Sequence, residues 1–223
     1  MNLKLLTALA LGAGLLSAES DAPARLAAAA DAFKEVMGTP DKAIPQDLLN
    51  RAQCIILIPG LKKGAFLVGA KYGKGFVACR KRDGVGWSAP AAVRVEGGSF
   101  GFQLGASETD AFMLVMNESG MKRLLSTKFT LGGDASVAAG PVGRTAQADT
   151  DAAMTAEILT WSRTRGLFAG VSLSGATLRE DADWNRELYT HKLSNREILT
   201  TNIAPPPSAE PLMTELNRYS SRK

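Results

Sequence analysis

Cys54-Ile55-Ile56-Leu57-Ile58 closes on Pro59-Gly60, and beyond Leu61-Lys62-Lys63-Gly64 a second apolar run, Ala65-Phe66-Leu67-Val68, closes on Gly69. A third run, Gly75-Phe76-Val77-Ala78-Cys79, gives way to Arg80-Lys81-Arg82. Each is too short for a helix and is bounded by Gly, Pro or Lys, the grammar of successive antiparallel strands. This reading puts Lys62-Lys63 and Lys71 to Lys74 in two successive turns, at opposite ends of their strands. Arg80-Lys81-Arg82 then returns to the end that carries Lys62-Lys63.

The pattern continues toward the C-terminus. Ser99 to Leu104 alternates, with Phe100, Phe102 and Leu104 on one face. Ala111 to Met116 is apolar on both faces, as in a central strand, and Asp134 to Ala139, Ala156 to Arg163 and Leu167 to Leu173 are further strand candidates. Helices flank these runs. In Ala24 to Met37, Leu26, Ala29, Ala30, Phe33, Val36 and Met37 recur at the spacing of one helical face, closed by Gly38 and Pro40. Shorter helices are predicted at Gln46 to Ala52, Ser119 to Ser126, Asp181 to Tyr189 and Asn195 to Thr201. Strands in runs, without regular alternation with helices, predict an α+β fold: one twisted antiparallel sheet, open or closing toward a barrel, with N-terminal and C-terminal helices. Pro205-Pro206-Pro207 reads as a stiff linker into a Pro-rich C-terminal tail, 204–223, where Leu212, Met213, Leu216 and Tyr219 share a face.

At the other end, Lys4 precedes an apolar run from Leu5 to Leu16 with small residues at Ser17-Ala18, the pattern of a secretory signal. The run is about twelve residues, short of the roughly twenty that cross a bilayer. Residues 1–20 are therefore expected to be a signal peptide, and 21–203 a single exported domain, periplasmic or extracellular. A composition of 45% hydrophobic and 22% charged residues suits one well-buried core. Both cysteines, Cys54 and Cys79, lie in strand-like runs, where a free cysteine packs as a small hydrophobe; an oxidising compartment would also permit a bridge.

Net charge is +4, yet Gly60 to Arg94 alone carries +7 and the remainder −3. Such a segment can dock on an anionic surface, each Lys or Arg contributing about 1 kcal/mol near an anionic membrane. It can equally consist of solvated turn lysines that keep strand edges soluble. The Ala24 to Met37 helix has two fates as well: its face can pack on the protein's own sheet, the ordinary outcome, or lie in a membrane interface.

Catalytic and metal motifs fail on context. Gly97-Gly98-Ser99-Phe100-Gly101 matches a nucleophile elbow, with Asp181 or Asp183 and His191 following in hydrolase order, but the elbow needs a helix after the serine and an alternating strand follows instead. Gly73-Lys74-Gly75 precedes a strand, so a dinucleotide would find no helix N-terminus. Cys54, Cys79 and His191 lack zinc spacing, and Glu108, Asp110 and Asp134 form no EF-hand. No enzyme activity, metal or cofactor is expected. Nucleic acid is set aside because an exported chain meets little of it.

Five ordered blocks carry a resemblance. They are Cys54 to Gly64, Gly73 to Gly75, Gly86-Trp87-Ser88-Ala89-Pro90, Leu131 to Arg144, and Gly166 to Gly175. The chain resembles the SYLF domain family, the lipid-binding and actin-bundling module of eukaryotic endocytic and ruffle-associated proteins, here as an exported bacterial member. The resemblance implies a non-enzymatic domain that binds phosphoinositide-type or other anionic phospholipid at a membrane surface. The residues it points to are Lys62, Lys63, Lys71, Lys74, Arg80, Lys81, Arg82 and Arg144, with Leu26, Phe33, Val36 and Met37 as a membrane-contact helix. An exported bacterial protein meets neither actin nor, ordinarily, phosphoinositides, so anionic glycerophospholipid is the expected partner. The competing expectation is a cell-envelope protein-interaction or structural domain, and a more remote one is a hydrolase using Ser99.

Overall fold

The computed structural model describes residues 21–39, 43–66, 68–81, 84–99, 105–143, 155–164, 166–171 and 173–221. Helix α1 (Ala22–Gly38) begins where the Asp21 carboxylate accepts from the Ala24 N–H at 2.8 Å, with Pro23 in its first turn. A short α2 (Gln46–Arg51) leads into two long strands, β1 (Cys54–Phe66) and β2 (Val68–Cys79). Strands β3 (Ala91–Ser99) and β4 (Gly105–Val115) follow, then α3 (Glu118–Leu124), capped by the Asn117 side chain. Short strands β5 (Lys128–Thr130), β6 (Val137–Ala139), β7 (Ile158–Thr164), β8 (Leu167–Gly170) and β9 (Thr177–Glu180) complete the sheet. The chain ends in α4 (Ala182–Tyr189), α5 (Asn195–Thr200) and α6 (Glu210–Ser220).

The strands run in the order β5-β9-β3-β2-β1-β4-β7-β6, with β8 sharing the outer edge of β7. Every pairing is antiparallel except β6 with β7. The sheet curls strongly into a half-barrel with helices from both ends of the chain, so the α+β class and the flanking helices are as predicted. Over residues 54–58 of β1 and 111–115 of β4 the central strands are buried on both faces, which is why these stretches read as unbroken apolar runs.

Pro59-Gly60 is not a turn. Strand β1 runs through it, with the register slipping between Ile58 and Leu61 against β4 and between Leu57 and Lys62 against β2: a bulge, one of the few places a strand interior tolerates proline. Gly60 has φ of 62°, and side chains take up the backbone groups released there: Arg25 donates to the Pro59 carbonyl at 2.8 Å and Asp110 accepts from the Gly60 N–H at 2.9 Å. Gly75 lets β2 close over the kink, because a Cβ there would lie 2.0 Å from the Leu57 carbonyl oxygen. The three predicted strands between Cys54 and Cys79 are thus two, paired as far as Phe66 with Val68.

Cys54 and Cys79 stand directly opposite one another in the β1–β2 register and are joined by a disulfide, so of the two readings left open the bridge is the one the structure holds. The C-terminal segment is corrected too. Helix α6 packs against α1, with Leu212 and Leu216 fully buried and Tyr219 edge-on to Phe33 at 5.8 Å, so it is part of the domain rather than a tail. Burying side chains of this size contributes about 1.5–3 kcal/mol each. The predicted Phe100, Phe102 and Leu104 strand lies outside the described residues, whereas β3, β5 and β9 were not foreseen.

Candidate functional site

The β1–β2 register sets Lys62 opposite Tyr72 and Lys63 opposite Lys71. On the uninterrupted strand β2, Lys71 shares a face with Val77 and Cys79, and Tyr72 shares the other with Lys74 and Phe76. Three ammonium groups and a phenol therefore surround the far part of the hairpin on both faces. Lys62 is exposed, and Tyr72, at 46% exposure, is one of few large exposed hydrophobic residues. Burial, and then the Lys71 charge opposite, push the Lys63 ammonium below the ordinary lysine range. Among the described residues no carboxylate forms an ion pair with Lys62, Lys63 or Lys71. Like charges directly opposite on a sheet are destabilising, so the fold carries an arrangement that an anion would relieve.

The other predicted cations have different roles. Lys74 reaches Asp181 at 3.2 Å and lies 4.5 Å over the Trp184 ring, so it ties β2 to α4. Arg80 is buried, stacked 3.7 Å from the Trp87 ring, and donates to the carbonyls of Leu49, Ala52 and Ser220. Trp87 donates to the Leu216 and Ser220 carbonyls at 3.2 and 2.9 Å. Together they clamp α6 onto the sheet. Arg80 and Lys81 lie at the disulfide end of the hairpin; along the uninterrupted β2, eight residue steps, about 27 Å, separate Cys79 from Lys71. The predicted grouping of Lys62 and Lys63 with Arg80 and Lys81 is therefore corrected: the bulge turns two expected short strands into one long one and sends these two pairs to opposite ends. Lys81 is exposed. Arg82 and Arg144 lie outside the described residues.

The membrane-contact reading of α1 is corrected as well. Leu26 and Phe33 have no exposed surface, and Val36 and Met37 are buried. The alanines that weaken the apolar face suit close packing: Ala22, Ala29 and Ala30 are buried alongside it, against α6 and the sheet. On the opposite side, Glu35 joins Arg163, which also binds Asp110 of β4 at 2.6 Å.

Ser99 ends β3 opposite Gly69, whereas the Asp181 N–H bonds the Ala92 carbonyl at the other end of that strand. Seven residues of strand, about 23 Å, separate them. Asp181 is moreover committed to capping α4, through the Trp184 N–H at 3.1 Å, and to Lys74. The hydrolase order in the sequence thus has no matching proximity between Ser99 and Asp181. Among the described residues, no group of three or more His, Cys, Asp and Glu side chains is placed to hold a metal ion, and no helix is long and apolar enough to cross a membrane.

Sequence reasoning missed the pairing of Lys63 with Lys71 and the place of Tyr72. The signal was present: Lys63-Gly64-Ala65-Phe66 and Val68-Gly69-Ala70-Lys71 are near-matching arms about position 67, with Lys62 and Tyr72 one step further out.

The curled sheet, flanked by helices, thus carries a basic hairpin on which Lys62, Lys63 and Lys71 form no ion pair among the described residues. The chain belongs to the Ysc84 family, described as Las17-binding protein actin regulator, whose model matches residues 96–219. It is similar to an SH3 domain-containing protein, PJ696.02, of Schizosaccharomyces pombe, 38% identical over 79% of this chain and 41% of that protein. It is also similar to LAS seventeen-binding protein 3 of Saccharomyces cerevisiae, 36% identical over 90% of this chain and 44% of that one. With the human SH3 domain-containing YSC84-like protein 1 it shares 34% identity over 82% of this chain and 53% of that protein. The chain spans about half the length of these curated relatives, or less.

Proposed function

We propose that the domain binds anionic phospholipid head groups at a membrane surface through Lys62, Lys63 and Lys71, with Tyr72 at the level of the interface, and carries out no covalent chemistry. The observation behind this is the cross-strand Lys63–Lys71 pair, without a carboxylate partner among the described residues. Lysines beside an anionic surface each contribute about 1 kcal/mol, attenuated by salt. A tyrosine beside them adds an amphipathic ring of the kind found at membrane–water boundaries. The membrane reading of the family resemblance is kept, with its site moved from the buried helix and Arg80 to the hairpin.

Co-sedimentation with neutral and anionic vesicles over a salt series tests this. Binding should require anionic lipid, weaken with salt, and be lost in Lys62→Glu/Lys63→Glu/Lys71→Glu. Binding that ignores lipid charge would reject the reading in favour of a protein-interaction domain, the role that the Las17-binding names give the relatives. We also propose that the domain is exported, as the signal pattern in residues 1–20 suggests and as the Cys54–Cys79 bridge supports. A mature chain beginning near Asp21 without titratable thiols is the expected product; a retained leader would reject export.

A further inference from the structure

Helix α3 and strand β5 enclose a groove of about 470 Å³ at the disulfide end of the sheet, away from the lysine hairpin. Helix α3 follows the end of β4 that pairs with Cys54, and Met121 lies against the Cys54 sulfur. Lys122, Arg123 and Lys128 line this groove, with the buried Phe129 in its wall and Asp134 as the one acid among its described lining residues. All three cations are exposed.

Neighbouring acids are already engaged. Asp134 accepts from the Thr130 N–H at 2.7 Å. Glu157 is bound by the Ser119 hydroxyl and, at 2.7 Å, by the Ser136 N–H. Desolvation alone would raise the Glu157 carboxyl, but these bonds and the Arg123 charge outweigh it and hold it below the usual range. Among the described residues none of the three cations forms an ion pair. Lys122 and Arg123 also complement the dipole of the last turn of α3, a role Lys128 does not share.

The shape of the charge selects among anions. Consecutive helical residues leave their axis about 100° apart, so Lys122 and Arg123 diverge, and Lys128 departs from a different element. Three charges spread along a groove suit carboxylates distributed along a chain better than one phosphate, whose oxygens need converging donors. Strand addition is closed off at Thr130: its N–H goes to Asp134, and its carbonyl accepts from Gly133, Asp134 and Ala135. The Lys128 carbonyl accepts from Ser126. Side chains, not the strand edge, would hold the ligand.

We propose that this groove receives an acidic polypeptide segment of a partner protein. The domain is then two-ended, with the hairpin available to a membrane and the α3–β5 groove to an acidic protein. The groove argument does not depend on the membrane reading.

Fluorescence anisotropy of labelled oligoglutamate, against oligoglutamine of equal length, tests it on the full chain. Oligoglutamate should bind, oligoglutamine should not, and added salt should weaken the complex. Lys122→Glu/Arg123→Glu/Lys128→Glu should reduce affinity by about tenfold or more, while Lys62→Glu/Lys63→Glu/Lys71→Glu should leave it unchanged. Circular dichroism checks that each variant folds, and Lys122→Gln/Arg123→Gln/Lys128→Gln serves if the reversed one does not. Equal binding of the two peptides, or binding that survives loss of the groove cations, overturns the proposal. So does a groove variant that loses anionic vesicles while keeping oligoglutamate, which would make the groove part of the membrane face. Failure of vesicle binding in the unaltered protein bears only on the hairpin.

Discussion

The two ends of the β1–β2 hairpin use the same residue types in opposite ways. At the disulfide end, Arg80 is buried, stacked on Trp87 and surrounded by carbonyl oxygens that hold α6 in place. At the far end, Lys63 faces Lys71, and neither has a carboxylate partner among the described residues. A net charge of +7 over Gly60 to Arg94 therefore overstates what that segment offers a partner, because part of it is internal mortar. Burial and pairing, rather than the count of cations, separate structural charge from available charge.

Removing the structural charge should have the largest effect. Arg80→Ala takes their donor from the buried Leu49 and Ala52 carbonyls, while the Ser220 carbonyl keeps the Trp87 N–H; at about 1–3 kcal/mol for each unsatisfied group, urea denaturation should show a loss of about 3 kcal/mol or more. Arg80→Lys should restore little, since one ammonium cannot reproduce a planar fork stacked on indole. Vesicle binding by the folded protein should be unchanged; a stable Arg80→Ala protein with weakened vesicle binding would break the comparison.

Next comes the covalent link at the same end. Cys54→Ser/Cys79→Ser should lower stability by about 2–4 kcal/mol, read by thermal unfolding, again without selective loss of vesicle binding.

At the far end a single substitution should move two properties in opposite directions. Lys71→Glu replaces a like-charged cross-strand pair with an opposite-charged one, worth about 0.2–1 kcal/mol. Unfolding should show a small gain in stability while vesicle affinity falls by about tenfold, as an attractive charge becomes a repulsive one. Equal losses in both would mean that Lys71 serves the fold, as Arg80 does.

How much of this was legible beforehand depended on local pattern. The first five helices were readable to within a few residues, because periodicity and caps such as the Ser194–Glu197 box are local signals, whereas the sixth showed only an apolar face in what read as a Pro-rich tail. Strands β5 and β9, of three and four residues, are too short for alternation to register, and Ala91-Ala92-Val93-Arg94-Val95-Glu96-Gly97-Gly98 is too poor in large apolar residues to announce β3. Pro59-Gly60 misled because a proline–glycine pair signals a turn locally; only Arg25 and Asp110, distant in sequence, make it a bulge. That one misreading placed Arg80 beside Lys63. The burial of Arg80 depends on α6, well over a hundred residues later, and no short window could reveal it.

The smallest effect belongs to a single proton. Lys63 titrates below its ordinary value of 10.5, first through burial and then through Lys71. Between the depressed folded value and 10.5 the unfolded chain holds a proton that the folded chain has released. Stability should therefore rise as pH climbs through that window, and the penalty for a charged Lys63 is fully present below it. Lys71→Gln should raise the Lys63 value only in part, since burial is the larger cause, and anionic vesicles should raise it further by supplying the missing counter-charge. NMR titration of the labelled Lys63 side chain reads all three states. An Lys63 value indifferent to Lys71→Gln but raised by anionic vesicles would keep the lipid contact and dismiss the cross-strand repulsion as its cause. A value moved by Lys71→Gln but not by vesicles would keep the repulsion and remove Lys63 from the membrane face.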